Sequence, residues 1–301
     1  MLKVGYIGLG LMGKPMAANI LKASFPLMVH NRSRAAVDEL SAKGALAAAT
    51  PREVAAWADV LLTNLPDSPD VEKVALGENG VLAGGHPGLI FIDHSTIKPA
   101  TARKVAAALA EGGIAALDAP VSGGQIGAIN GTLTIMVGGE AAALERARPV
   151  LEAEGKSITL IGPAGAGQIA KAANQIMVAA QMVAMGELLL LAQKAGADPV
   201  KVVEAIRGGA AQCWTLDVKP QRLFQGVREP GFKARMQSKD LTIIMETARE
   251  YGMPLPATAV NAQLFQAMLE NGMGDLDNSA VIAVLEALAG IHLAEPEKAA
   301  G

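Results

Sequence analysis

Residues 4–16 read Val4-Gly5-Tyr6-Ile7-Gly8-Leu9-Gly10-Leu11-Met12-Gly13-Lys14-Pro15-Met16. A short apolar run over residues 2–7 meets a G-x-G-x-x-G turn at Gly8, Gly10 and Gly13, and Pro15 falls in the first turn of the helix that the pattern predicts next. The three glycines answer to separate needs. The first permits the tight turn, the second lets the backbone approach a pyrophosphate, and the third lets helix pack on strand, while the helix N-terminus adds amide donors and the positive end of its dipole. Three glycines alone would mean little in a chain of 301 residues with 33 of them. Their place at the first strand-turn-helix of a repeating pattern gives them weight.

Working outward, the runs 27–30, 60–64, 89–93 and 114–117 are short and apolar, as strands buried on both faces are. Residues 15–23, 33–43, 51–57, 70–76 and 99–111 read as crossover helices. The alternation predicts a parallel sheet in a doubly wound α/β domain over residues 1–162, with the runs 133–137 and 157–161 extending the sheet. Past the stretch GPAGAG at 162–167 the texture changes: residues 168–194 hold one glycine and no proline, which predicts a single long helix. It joins the first domain to an all-helical second domain, 163–301. Asp198-Pro199 is an N-cap with Pro at the first helical position, opening a helix that should stop at Gly208-Gly209. Further helices are predicted over 238–251, over 256–271 with Gly272 as its C-terminal cap, and over 279–293, before a low-complexity tail at 295–301.

Composition excludes several classes of function. The net charge is −3 and aromatic residues make up 3% of the chain, so no global basic field collects a polyanion and few rings offer stacking to bases; no nucleic-acid partner is expected. One cysteine, Cys213, cannot form an internal disulfide, and with four scattered histidines it gives no zinc-like spacing. A reducing cytoplasm is expected, with no metal. The opening residues run directly into the glycine cluster, so no signal peptide is expected. The apolar stretch 176–192 is interrupted by Gln181 and Glu187 and falls short of the roughly 20 residues a bilayer needs, so it reads as a buried helix and no membrane partner is expected. There is no G-x-S-x-G elbow and no H-E-x-x-H pair, which argues against hydrolase chemistry.

The chemistry that remains is dinucleotide-dependent. At the end of the second strand, where NAD-specific proteins place an acidic residue against the ribose, stands Asn31, followed by Arg32, Ser33 and Arg34. The arginines can give a 2′-phosphate charge-assisted bonds with no carboxylate to repel it, which favours NADP, NADPH over NADH, without excluding NADH. The alternative is that Asn31 and Ser33 cap the next helix and the arginines are solvated. Lys171 stands near the start of the long helix, with Asn174 and Gln175 on the same face at i+3 and i+4, so an ammonium and an amide could donate to and orient a carbonyl oxygen. By spacing alone, a lysine in the first turns of a helix is more often a solvated charge. Ser122, Gly123 and Gly124, after the strand end DAPV at 118–121, combine a hydroxyl with amides freed by glycine, suited to a small carboxylate or to an ordinary turn. His94, at the end of another strand, has no carboxylate paired to it by spacing and reads as structural.

These motifs together resemble the β-hydroxyacid dehydrogenase family: GLGLMGKPMAAN at 8–19, DAPVSGG at 118–124, GAGQIAKAANQ at 165–175 and Lys239-Asp240-Leu241, in that order across the whole chain. The resemblance implies a Rossmann-type domain, a connecting helix and a helical domain through which the chain forms a homodimer or homotetramer. It implies Lys171 as general acid with Asn174 beside it, and Ser122, Gly123 and Gly124 on the substrate carboxylate. It further assigns Gly8, Leu9, Gly10, Leu11, Met12, Gly13, Leu65, Pro66, Thr96 and Lys239 to the cofactor, beside Asn31, Arg32 and Ser33 as read above. The expected activity is NADPH-dependent reduction of a small semialdehyde acid. The late stretch PGFKARM at 230–236 resembles members acting on tartronate semialdehyde, while glyoxylate, succinic semialdehyde and 3-hydroxyisobutyrate are used by relatives with the same anchors. A catalytically silent NADP-binding module is the alternative of a different class; such relatives lack the lysine.

Overall fold

A computed structural model describes residues 1–293. The tail predicted at 295–301 lies outside the described residues. The chain divides into two compact units, Met1–Lys171 and Ala172–Gly301.

The first unit is built on a sheet of β1 (Val4–Ile7), β2 (Leu27–His30), β3 (Leu46–Ala47), β4 (Val60–Thr63), β5 (Ile90–Asp93), β6 (Ala115–Asp118), β7 (Val121–Ser122), β8 (Leu133–Gly138) and β9 (Gly155–Gly162). Their order is β3-β2-β1-β4-β5-β6-β8-β7, with β9 beside β8. From β3 to β6 the neighbours are parallel. Connecting them are α1 (Gly13–Lys22), α2 (Arg34–Ser41), α3 (Pro51–Trp57), α4 (Ser68–Leu76), α5 (Val81–Gly84) and α6 (Pro99–Glu111); α7 (Gly124–Asn130) and α8 (Ala141–Leu151) follow. Strand residues alternate between two apolar layers: Val60, Leu62, Ile90 and Ile92 pack in one cluster, Leu61 and Phe91 in the other. Burial on both faces is why these strands read as unbroken apolar runs. The extension at 133–137 and 157–161 joins the sheet as expected, but β8 runs antiparallel to β6, so the sheet is mixed.

The helix α9 (Ala166–Lys194) begins in the first unit and continues into the second, which adds α10 (Pro199–Ile206), α11 (Trp214–Phe224), α12 (Ala234–Glu250), α13 (Pro256–Glu270) and α14 (Ile282–Ala289). By length and composition α9 could cross a membrane, yet half of its most apolar stretch is buried. Met182, Met185 and Leu189 pack with Leu223, Phe265 and Ile282 in the core of the second unit. Asp198 caps α10 as its sequence predicts, accepting from Val200 N at 2.9 Å.

Candidate active site

The parallel strands of the first unit end in register. Ile7 pairs with Thr63, Thr63 with Asp93, Asp93 with Asp118, and Asp118 with Gly138. This row crosses the carboxyl edge of the sheet, the side on which open α/β sheets bind ligands. Its polar side chains are buried, and their partners organise the loops that follow.

Asp93 Oδ1 accepts from Thr63 Oγ1 (2.7 Å), Ser95 Oγ (2.6 Å) and Ser95 N (3.1 Å). Burial pushes its carboxyl up to about 6 against the pull of those donors. Ser95 Oγ in turn accepts from Leu65 N at 2.8 Å, fixing the loop of Leu65 and Pro66 after β4. Asp118 accepts from Gly165 N through Oδ1 (2.7 Å) and from Gln168 N through Oδ2 (2.9 Å), so a strand-end carboxylate caps a helix 47 residues away in sequence. Burial raises the Asp118 pKa, and these backbone donors oppose the rise. Gly138 and Gly167 make that cap possible. A Cβ on Gly138 would meet Gly167 N at 2.7 Å, and one on Gly167 would collide with Asp118 O and Met136 O.

The capped helix carries Lys171, which is 7% exposed. Its Nζ donates to Val121 O at 2.7 Å, so the ammonium is held at the backbone that leads into Ser122. Gly123 and Gly124 are exposed and adopt φ of 132° and 60°, conformations that require glycine there. Within the second unit Asn174 Nδ2 donates to Gln175 Oε1 (2.8 Å), Gln175 Nε2 donates to Asp240 Oδ2 (2.6 Å), and Lys239 Nζ lies 3.1 Å from Asp240 Oδ1. The Gln175 amide, seen in the sequence as a partner of Asn174 toward a ligand, is therefore engaged inside that unit.

At the glycine turn, a Cβ on Gly8 would strike Asn64 O and one on Gly13 would strike Gly8 O, whereas one on Gly10 would meet nothing within 4 Å. Gly10 and Leu11 are exposed, Leu9 and Gly13 are buried and Met12 is half-buried. Asn31 Oδ1 accepts from Leu9 N at 3.0 Å, and its Nδ2 donates to Ser33 Oγ at 2.9 Å. Asn31 thus ties the end of β2 to the turn. Arg32 is exposed, and Arg34 pairs with Asp38 at 2.9 Å on the surface. Pro66 is exposed and Thr96 half-buried.

His94 has the carboxylate that sequence spacing did not supply. Nε2 lies 3.1 Å from Glu154 Oε2 and Nδ1 2.6 Å from Ala119 O, in a fully buried environment. Sequence reasoning also gave no role of their own to the side chains of Gln168, Ser95 and Asp240. The one available signal was a polar residue, Thr63, Asp93 or Asp118, at the end of each of three apolar strand runs.

Residues 3–162 match the family described as the NAD binding domain of 6-phosphogluconate dehydrogenase. Residues 165–285 match the one described as NAD-binding of NADP-dependent 3-hydroxyisobutyrate dehydrogenase. The chain is 44% identical to 2-hydroxy-3-oxopropionate reductase of Escherichia coli, over 97% of its own length and 100% of that protein. It is 41% identical to NAD-dependent L-serine dehydrogenase of Pseudomonas aeruginosa, over 93% of the chain and 97% of the relative. A solved structure of Mycobacterium tuberculosis 3-hydroxyisobutyrate dehydrogenase with L-serine is similar at a TM-score of 0.87 and 36% identity, covering 95% of this chain and 99% of that one.

Proposed function

Because the chain belongs to the β-hydroxyacid dehydrogenase family of NAD(P)-dependent oxidoreductases, we propose that it reduces a small semialdehyde acid to the hydroxy acid with NADPH, and that Lys171 is the general acid. The observation that carries this reading is the ammonium of Lys171, buried and anchored 2.7 Å from Val121 O, next to Ser122. The 44% identity to the Escherichia coli reductase supports tartronate semialdehyde as first substrate, with glyoxylate and succinic semialdehyde behind it. Oxidation of 3-hydroxyisobutyrate is the second reading, supported by the structural likeness to a 3-hydroxyisobutyrate dehydrogenase.

The turn fits a dinucleotide. Space stays open at Gly10, where a pyrophosphate would approach, and side chains are barred at Gly8 and Gly13. Gly8 to Gly13 with Leu9, Leu11 and Met12 would hold the pyrophosphate, Asn31, Arg32 and Ser33 the adenosine end, and Leu65, Pro66 and Thr96 the remainder. Bound there, the cofactor supplies a hydride. The Ser122 hydroxyl and the amides of Gly123 and Gly124 hold the substrate carboxylate. Asn174, one turn beyond Lys171 on α9, orients the carbonyl oxygen. Lys171 Nζ passes a proton to that oxygen as its carbon gains the hydride, and recovers a proton from solvent. Retention of the lysine argues against a silent binding module.

Lys171→Ala should lower turnover of tartronate semialdehyde by about two to four orders of magnitude while NADPH affinity is kept. Turnover within a few-fold of wild type would remove Lys171 from the reaction. Initial rates with the three semialdehydes and with 3-hydroxyisobutyrate rank the substrates. For the cofactor, NADPH should bind more tightly than NADH, and Arg32→Ala should narrow the gap in a fluorescence titration; equal affinities in both proteins would refute NADP preference. A cytoplasmic homodimer or homotetramer formed through the second unit completes the proposal. Exposed apolar side chains there, Met177, Leu191, Val260 and Leu288, support the association.

A further inference from the structure

Gln168 stands on the first turn of α9 and is 2% exposed. Both ends of its carboxamide are engaged with one short piece of backbone. Nε2 donates to Ser95 O at 2.8 Å and Oε1 accepts from Ile97 N at 3.1 Å, so the side chain clasps the main chain on either side of Thr96. Its own backbone N–H donates to Asp118 Oδ2. Ser95, held on one side by Gln168, accepts from Leu65 N through Oγ. Three residues further along the same helix is Lys171.

We propose that Gln168 is a positioning residue that sets the loops of Leu65 and Thr96 in register with Lys171. The proposal rests on the reading above, in which those loops contact the nicotinamide cofactor and Lys171 donates the proton. The chemistry calls for an amide. One end must donate to a carbonyl and the other accept from an N–H, which the glutamine carboxamide does in neutral form at any pH. Without the clasp, the backbone on either side of Thr96 loses both of its bonds to the Gln168 side chain, and misplacement of about 1 Å between reacting groups costs about a hundredfold in rate.

Two substitutions test it, with Lys171→Ala alongside. Gln168→Met keeps length and burial but removes both bonds. It should weaken NADPH binding about tenfold, the scale of one or two hydrogen bonds, and lower kcat for tartronate semialdehyde about ten- to a hundredfold with little change in that substrate's KM. Gln168→Glu can reproduce the clasp only when protonated, its O–H donating to Ser95 O. Burial raises its pKa, as do the facing carboxylates Asp93 and Asp118; the cations Lys171 and His94 act in the opposite sense. NADPH affinity and kcat of this variant should approach wild type near pH 5.5 and fall as pH rises to 8, a profile absent from Lys171→Ala. If Gln168→Met does not fold, the profile of Gln168→Glu decides. NADPH affinity and kcat within twofold of wild type in Gln168→Met, or a Gln168→Glu defect independent of pH, would overturn the proposal. Should Lys171→Ala retain full turnover, the general-acid reading fails on its own, whatever the Gln168 variants do to NADPH binding.

Discussion

Replacing Glu154 by Gln removes the negative half of a pair with both side chains at 0% exposure. A neutral imidazole has one N–H, but both ring nitrogens of His94 face acceptors, Ala119 O and Glu154 Oε2, so the arrangement asks for the imidazolium. Burial works against that charge; the Glu154 carboxylate, its hydrogen bond and the bond to Ala119 O outweigh it and raise the pKa above 6.5. The sign follows. The folded protein holds this proton more tightly than the unfolded chain, so the pair stabilises fully below pH 6.5 and its contribution is lost as pH rises through the folded value, by up to about 1.4 kcal/mol per pH unit. In Glu154→Gln burial dominates, the ring stays neutral, and the slope reverses. The loss should be about 1–2 kcal/mol near pH 8, where a hydrogen bond is at stake, and should grow by about 1 kcal/mol or more toward pH 6, where the wild type gains its paired imidazolium and the variant must keep a buried ring neutral. Urea unfolding of the first unit can be followed by Trp57 fluorescence in a Trp214→Phe background, since Trp57 and Trp214 are the two tryptophans and belong to different units. A stability gap between the two proteins that stays constant from pH 6 to 8 would refute the imidazolium.

Gly10→Ala and Gly167→Ala should separate two uses of glycine. The first, whose Cβ meets nothing, should leave the urea midpoint unchanged and weaken NADPH binding, whereas the second, whose Cβ meets two backbone oxygens, should cost about 1–3 kcal/mol of stability in the same unfolding assay. In the second unit, Lys219 Nζ lies 2.6 Å from Asp277 Oδ1 with both side chains buried, and Asp277 Oδ2 accepts from Gly231 N at 2.9 Å. Asp277→Ala should cost about 3–5 kcal/mol, read from Trp214, whose ring lies 5.8 Å from the Lys219 ammonium. Despite burial, Lys219 lowers the Asp277 pKa, so this stability is present above the ordinary carboxylate range and lost on acidification.

Most of the α/β unit was legible because burial on both faces writes each strand as an apolar run, and β2, α3 and α6 begin and end where those runs and their prolines say. Strand direction was not legible at β8, since a buried antiparallel strand has the same composition as a parallel one. The helix α7 was hidden by the glycines at 123, 124, 127 and 131, and α11 by Pro220, which stands inside it and reads as a breaker. Helix α12 begins at Ala234, ahead of the predicted 238; Ala234 N and Arg235 N donate to Leu276 O and Gly274 O, a long-range pairing that local propensity does not carry.

The candidate site shows the same division more sharply. The glycine turn, Ser122-Gly123-Gly124 and Lys171 are local patterns, and each could be named from residues a few positions apart. What fixes them in space is not local: Asp118 reaches Gly165 and Gln168, Gln168 reaches Ser95 and Ile97, and His94 reaches Glu154, over 47 to 73 residues. Such pairings follow from strand register, because Thr63, Asp93, Asp118 and Gly138 meet only once the strands are aligned. The row also bears on the proposal that Lys171 does the proton chemistry. Asp118 has both carboxylate oxygens bonded to the backbone at and just before the start of α9, and His94 has both nitrogens bonded within the unit. Groups so engaged hold loops and helices in place, and moving a proton at any of them would loosen the element it fixes. An ammonium differs: it is a donor only, and the bond to Val121 O anchors Lys171 at the backbone that leads into Ser122. The strand-end carboxylates and the absent side chain at Gly138 are therefore the foundation that sets where that ammonium stands.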